Sequence, residues 1–167
     1  MYTCSYDRMK DKIETFSKFG DAGHGGITRY SLSPEAVQAR NEFRRRMEAI
    51  GATIEVDDVA CMYATLPGSD PDAKRIVMGS HVDSVKNGGN YDGILGVMSA
   101  MEVLETVAEK KIPPQAPADC NDLDQRGRFP LSTGDDVLRH HLLRLSAGGY
   151  PQQVQIRGYD GVKEHSG

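Results

Sequence analysis

The chain has 167 residues, a net charge of -4 and an isoelectric point near 5.7. This length suits one domain with a substantial core and leaves little room for a second. The net negative charge argues against a protein that binds nucleic acid or anionic membranes, because such proteins usually carry a positively charged surface. The three cysteines are widely spaced and odd in number, which argues against a disulfide framework or a cysteine zinc site. Residues 1–12 are too polar for a signal peptide, so we expect a soluble, cytoplasmic protein.

Two helices are predicted in the first third of the chain. The first should run from about residue 7 to 19, because three apolar residues lie there at helical spacing, namely Met9, Ile13 and Phe16. A glycine-rich loop that contains His24 follows. Ser33-Pro34-Glu35 then has the residues of a helix start, with a capping serine, a proline suited to the first turn and a glutamate that complements the helix dipole. We expect this second helix to end at Gly51.

Three strands and a third helix are predicted next. Residues 53–56 alternate as a strand, and residues 60–66 read as a second strand, so the two should form a hairpin. Asp57-Asp58 could be a pair of metal ligands, but turn residues are the favoured interpretation. Residues 74–78 predict a short strand whose apolar run ends at Gly79. Residues 93–109 are apolar on more than one face, which predicts a largely buried helix.

The candidate site lies in Gly79-Ser80-His81-Val82-Asp83-Ser84, together with Asp92 across a glycine-rich turn. His81 would leave the carboxyl end of a strand, where open α/β sheets bind their ligands. Asp83 lies two residues on, so its carboxylate could accept a proton from one imidazole nitrogen and leave the other free for a metal ion. Asp92 would open the third helix, where the helix dipole favours its ionised form. Taken alone, these residues would also suit a loop histidine, a solvated carboxylate and an ordinary helix N-cap.

The surrounding sequence favours the metal site. Residues 79–97, with Asn87-Gly88-Gly89 before Tyr91-Asp92-Gly93, resemble the dizinc aminoacylase and carboxypeptidase superfamily. Within it, they are similar to the branch of N-carbamoyl-L-amino acid hydrolases, allantoate amidohydrolases and yeast-type beta-alanine synthase. Residues 26–33 resemble the segment before the second helix of the same branch. The family usually has Gly-Asn after the acidic turn, and this chain has Ala60-Cys61 instead. The backbone conformation at these two residues could therefore differ from that of the family.

The resemblance implies a metal-dependent amidohydrolase with two zinc or manganese ions. The aspartate that corresponds to Asp92 would bridge the ions, and His81 would bind one of them. Asp83 would orient His81 through the ring nitrogen that does not bind the metal. A water held by the metals would attack the carbamoyl or amidino carbon of an N-carbamoyl, ureido or allantoate-type substrate, after a glutamate had removed its proton. That glutamate and a second, metal-binding one belong to a Trp-Thr-Asn-Glu-Glu-Gly motif that this sequence lacks.

The sequence changes character after Gln115, because residues 119–128 show neither helical nor strand periodicity. Possible codons for Asp119 to Gln125, read one nucleotide forward, encode Thr-Val-Met-Ile-Trp-Thr-Asn. Those for Arg126 to Leu131 encode Glu-Glu-Gly-Ser-Arg-Phe in the same way. These peptides are the missing block of the family in the right order, so we hypothesise a frameshift, in the gene or in its sequencing.

Residues 1–115 would then be the N-terminal part of a metallohydrolase catalytic domain of α/β class, and residues 116–167 an out-of-frame, disordered tail. His140, His141 and His165 would be accidental. With only His81 and Asp92 as ligands and no general base, the chain is expected to be inactive, and its metal binding is doubtful. The helical lid that pairs subunits in the family is also absent, so the family's homodimer is not expected.

Two other classes of function stay open at this point. The chain could be a non-enzymatic metal-binding or interaction module built on half of a hydrolase fold. It could also be a dipeptidase or aminoacylase of the wider superfamily, although Asn87-Gly88-Gly89 favours the carbamoylase branch. The particular substrate is not indicated, because the residues that would recognise its carboxylate are not in this sequence.

Overall fold

The fold is an α/β arrangement in which three helices accompany a four-stranded mixed sheet. The computed structural model describes residues 3–57, 60–112 and 114–122. The predicted fold class is confirmed. The predicted tail begins just before the last strand described below, and from residue 123 onward it lies outside the described residues.

The helices form close to where the sequence predicts them. They are α1 (Tyr6–Phe16), α2 (Pro34–Ala49) and α3 (Ile94–Glu109). The hydroxyl of Ser33 accepts the backbone N–H of Ala36 at 3.2 Å and caps α2 as predicted. Helix α1 ends three residues earlier than expected. The chain then turns through residues 17–20.

The strands are β1 (Thr53–Val56), β2 (Met62–Leu66), β3 (Ile76–Ser80) and β4 (Ala118–Asp122), and their order in the sheet is β1-β2-β4-β3. Strands β1 and β2 pair antiparallel, which confirms the predicted hairpin. Strand β3 begins and ends two residues later than predicted. It runs parallel to β4, whereas β4 runs antiparallel to β2. The carboxyl ends of β3 and β4 therefore meet at one edge of the sheet, next to His81.

The existence of β4 differs from the sequence prediction, which gave no strand after residue 118. All five residues of β4 are buried between β2 and β3, although three of them are Asp119, Asn121 and Asp122. Tertiary pairing explains the difference. Residues 118–122 lie between β2 and β3, where backbone hydrogen bonds to both neighbours favour a strand even though the side chains have low strand propensity. The result is a central strand with the composition of a loop.

One core joins the helices to the sheet. It includes Phe43 and Met47 of α2, Met62 and Ala64 of β2, and apolar residues of α3, namely Ile94, Val97, Met98, Ala100, Met101 and Leu104. The prediction that α3 is largely buried holds for this face. It does not hold for Leu95 and Val103, which are 41% and 37% exposed.

An ion cluster fixes α1 to α3. Lys12, which is completely buried, donates from Nζ to the buried Glu102 at 2.7 Å and also contacts Glu105. Arg8 donates to Glu102 from both Nε and Nη2. Burial acts to raise the pKa of Glu102, but the hydrogen bonds from Arg8 and Lys12 lower it to about 2.

None of the helices in the described part of the chain has the length and apolar character needed to cross a membrane.

Candidate metal centre

His81 lies directly beyond the carboxyl end of β3. Ser80, the last residue of that strand, pairs with Asp122, the last residue of the parallel strand β4. Only 9% of His81 is exposed, and the following Val82 is buried. The sheet therefore delivers an imidazole to the edge where α/β folds bind ligands, as the sequence predicts.

The side chain of His81 is held by the residue two positions on. Its Nδ1 lies 3.0 Å from the backbone oxygen of Asp83 and 3.1 Å from the carboxylate Oδ1 of the same residue. Both neighbours are acceptors, so in the neutral ring Nδ1 carries the hydrogen and Nε2 keeps its lone pair. The ring is therefore oriented by a hydrogen bond to a backbone carbonyl, with a carboxylate in contact beside it, an arrangement that would suit a metal-binding histidine.

Asp92 is exposed and lies two residues before α3, whose N-cap is Gly93, so it does not open the helix as predicted. It follows a turn in which the N–H of Gly88 donates to Val85 and that of Asp92 to Gly89. The next residue, Gly93, packs against the His81 ring, and its backbone has a positive φ of 71°. A Cβ at Gly93 would lie 2.2 Å from Cε1 and 2.3 Å from Nε2 of His81. The absence of a side chain at Gly93 therefore leaves room for the imidazole ring in this position.

The structure thus brings His81 and Asp83 into contact and places Asp92 one residue from a group that touches the ring. In the described ranges, no cluster of three or more His, Cys, Asp or Glu side chains could hold a metal ion. Those residues therefore provide part of a donor set and do not complete one.

The other acidic and histidine candidates behave as turn and loop residues. Oδ1 of Asp57 accepts the N–H of Cys61 at 2.7 Å, which is the predicted role of a turn residue. Asp58 lies outside the described residues. His24 lies in the loop between α1 and α2. Ala60, which departs from the family pattern, has a positive φ of 64°, a conformation that favours glycine.

Two residues that hold the His81 segment were missed by the sequence analysis. Asp122 accepts the N–H of Val82 at 3.0 Å and contacts Arg40 at 3.3 Å. Arg29 donates to the carbonyl of Val82 at 2.6 Å. Asp122 could not be found because no strand was predicted there. Arg29 lies in the segment 26–33 that resembles the family, which was its available signal.

Comparisons with known proteins show what the chain is similar to in sequence. No family model matches the chain. The N-carbamoyl-L-amino-acid amidohydrolase of Rhizobium meliloti is 35% identical over 111 residues, which are 66% of this chain and 27% of that protein. The allantoate amidohydrolase of Bacillus subtilis (strain 168) is 33% identical over 126 residues, or 74% of this chain and 31% of that protein.

The same relationship is found in three dimensions. A hydantoinase/carbamoylase family amidase from Burkholderia multivorans superimposes with a TM-score of 0.71 at 27% identity, over 72% of this chain and 29% of that one.

The chain therefore has an α/β fold that resembles part of known amidohydrolases in sequence and in structure. More narrowly, part of the chain is similar to N-carbamoyl-L-amino-acid and allantoate amidohydrolases and to hydantoinase/carbamoylase family amidases, which confirms the resemblance seen in the sequence. The chain spans less than a third of the length of these proteins.

Proposed function

We propose that the chain derives from a metal-dependent amidohydrolase that cleaves non-peptide C–N bonds in N-carbamoyl-L-amino acid, ureido or allantoate-type substrates. One observation carries the proposal. The Nδ1 of a buried histidine at the carboxyl end of a strand is held by Asp83, within the segment that resembles the carbamoylase branch. The names of the relatives, which are amidohydrolases, support the same reaction class.

The residues of this chain would have limited roles in that reaction. His81 would offer Nε2 to one of two zinc or manganese ions, Asp83 would fix the tautomer, and Asp92 would bridge the ions. The metals would supply Lewis-acid chemistry and an activated water. A zinc site normally takes at least three protein ligands, and a glutamate general base is also required. We therefore propose that the chain as it stands binds metal weakly and is inactive.

The strand β4 supports a frameshift as the cause. Positions 118–122 form a fully buried central strand, a place that calls for apolar residues. The chain instead has Asp119, which is 1% exposed and whose Oδ1 has no hydrogen-bond partner among the described residues. The next reading frame can encode Thr-Val-Met-Ile for residues 119–122, which suits such a strand, and then continues into Trp-Thr-Asn-Glu-Glu-Gly. The polar residues of this buried strand therefore support the frameshift proposed from the codons.

The experiment compares two proteins for ammonia release from N-carbamoyl-L-amino acids and from allantoate, with added Zn²⁺ or Mn²⁺. One is the present chain. The other is expressed from the gene with the frame restored after codon 118 and read through to its stop. We expect turnover from the restored protein, loss of that turnover on His81→Ala, and none from the present chain.

Other results of this experiment would refute part of the proposal or favour one of the alternative functions. Turnover by the present chain above its own His81→Ala variant would refute the proposed inactivity. A restored protein that cleaves dipeptides or N-acyl amino acids but no carbamoyl or ureido substrate would favour the dipeptidase or aminoacylase alternative. A restored protein that folds and binds metal but hydrolyses none of these substrates would favour a non-enzymatic module.

A further inference from the structure

Arg29 is a buried cation whose hydrogen bonds converge on backbone carbonyls. It is 2% exposed. Its Nε donates to the carbonyl of Val82 at 2.6 Å, and its Nη1 donates to the carbonyls of Phe16 at 2.9 Å and Phe19 at 2.8 Å. A guanidinium can bridge several acceptors in this way because its donors form a rigid planar fork.

The Val82 carbonyl lies within the candidate site. Val82 lies between His81 and Asp83. A hydrogen bond to the Val82 carbonyl therefore holds the backbone that connects these two residues. The backbone of Arg29 holds the same segment, because its carbonyl accepts the N–H of Ser84 at 2.7 Å. The hydroxyl of Ser84 in turn donates to the carbonyl of Ile27 at 2.9 Å. Residues 27–29 therefore support the His81 segment along its length.

The charge of Arg29 also suits this place. Burial lowers the pKa of its guanidinium to about 10, while the negative charges of Asp122 and Asp83 act to raise it. The group therefore remains a cation at neutral pH. It therefore places a positive charge near Asp83.

We propose that Arg29 is a positioning residue for His81 and Asp83. By holding the Val82 carbonyl, it keeps Nδ1 of His81 on Asp83 and so keeps the lone pair of Nε2 available to a ligand. The proposal deepens the proposed function, since a metal ion would use that lone pair, but it concerns only the state of the imidazole in the present chain.

A purely structural role is the competing explanation. Among the described residues, two of the three hydrogen bonds of the Arg29 side chain go to the end of α1 and to the turn after it, so Arg29 could simply fasten that helix to the sheet. Such a role would affect the stability of the fold and leave the His81 ring unchanged. The test therefore needs a readout on the ring as well as one on stability.

The experiment uses nitrogen NMR of the histidine rings in the full chain, at a pH where they are neutral. The His81 signals are assigned by their loss in His81→Gln. In the unsubstituted protein we expect Nδ1 to carry the hydrogen and Nε2 to be bare. In Arg29→Met we expect the two ring-nitrogen signals to move toward each other, as the ring begins to exchange between tautomers.

The matched control is Arg46→Met. Arg46 is also largely buried and connects α2 to α1 through Asp11 and Thr15, away from His81. Its loss should lower the melting temperature and leave the His81 signals in place. A melting temperature lowered by Arg29→Met, with His81 signals identical to those of the unsubstituted protein, would overturn the proposal.

A second variant decides the matter if Arg29→Met fails to fold. Arg29→Lys keeps the charge but cannot bridge three carbonyls. We expect the His81 signals to shift in this variant, and unchanged signals would overturn the proposal. Neither result depends on hydrolysis, so failure of the proposed function in the ammonia assay would be recognised separately.

Discussion

Replacing Asp119 by threonine should stabilise the protein, although it removes an ion pair. Asp119 is 1% exposed, and its Oδ1 has no hydrogen-bond partner among the described residues. Its Oδ2 lies 3.3 Å from Nη1 of Arg75, whose side chain is 45% exposed and also lies 3.7 Å from Glu55. Arg75 therefore keeps a carboxylate partner and access to water after the substitution.

The magnitude follows from two opposing effects. Burying a polar group that lacks its hydrogen bonds costs about 1–3 kcal/mol, and a charged group costs more. The lost pair with a half-exposed arginine contributes at most about 1 kcal/mol. Threonine also has a higher β-strand propensity than aspartate. We expect Asp119→Thr to raise the free energy of unfolding by about 1–2 kcal/mol, or the melting temperature by roughly 4–8 °C.

The assay is urea unfolding followed by far-ultraviolet circular dichroism, since the chain has no tryptophan. The matched control is Glu55→Thr, which removes the other carboxylate partner of Arg75 from a position on the edge strand β1 where the side chain is 62% exposed. This control should change the unfolding free energy by less than about 0.5 kcal/mol. A loss of stability in Asp119→Thr, or equal effects of the two substitutions, would refute the reasoning about β4.

Three further substitutions test other parts of the structure. Ala60→Gly should stabilise by about 0.5–1 kcal/mol in urea unfolding, because it relieves a left-handed backbone that costs alanine more than glycine loses in entropy; a destabilised variant would contradict this. Gly93→Ala should destabilise by at least about 1–2 kcal/mol through its positive φ, and should also displace His81, seen as shifted ring signals in NMR. Glu102→Gln should cost about 2 kcal/mol at neutral pH. Hydrogen bonds from the basic residues of α1 outweigh burial and hold the pKa of Glu102 at about 2, below its ordinary 4.5. Its contribution is therefore present above about 4.5 and lost as the pH falls toward 2, so the variant should show a flatter stability profile in that window; an unchanged acid profile would contradict this.

Local features of the fold were predictable from the sequence. The cap at Ser33, the hairpin around Asp57 and the turn before Asp92 depend on residues close in the chain, and each has a stereochemical reason. The His81–Asp83 contact was predictable for the same reason, since residues two apart in an extended segment point to one side.

Features that depend on distant parts of the chain were not predictable. Lys12 and Glu102 are ninety residues apart, and their burial follows only once α1 lies on α3. Strand β4 was missed because its side chains contradict its position, and only the strands on either side define it. The role of Arg29 could not be predicted from the sequence, because it depends on the contact with Val82, 53 residues away. In each case the missing information is tertiary packing.

The nucleotide sequence from codon 115 to codon 140 tests the proposed frameshift most directly. We predict that the frame one base downstream encodes the missing catalytic block, so that the codon of Leu123 ends in TG, that of Gln125 is CAA, that of Arg126 is CGA and that of Gly127 is GGA. These codons would place a tryptophan and two consecutive glutamates directly after β4. Codons that yield no Trp-Thr-Asn-Glu-Glu-Gly in that frame would refute the frameshift.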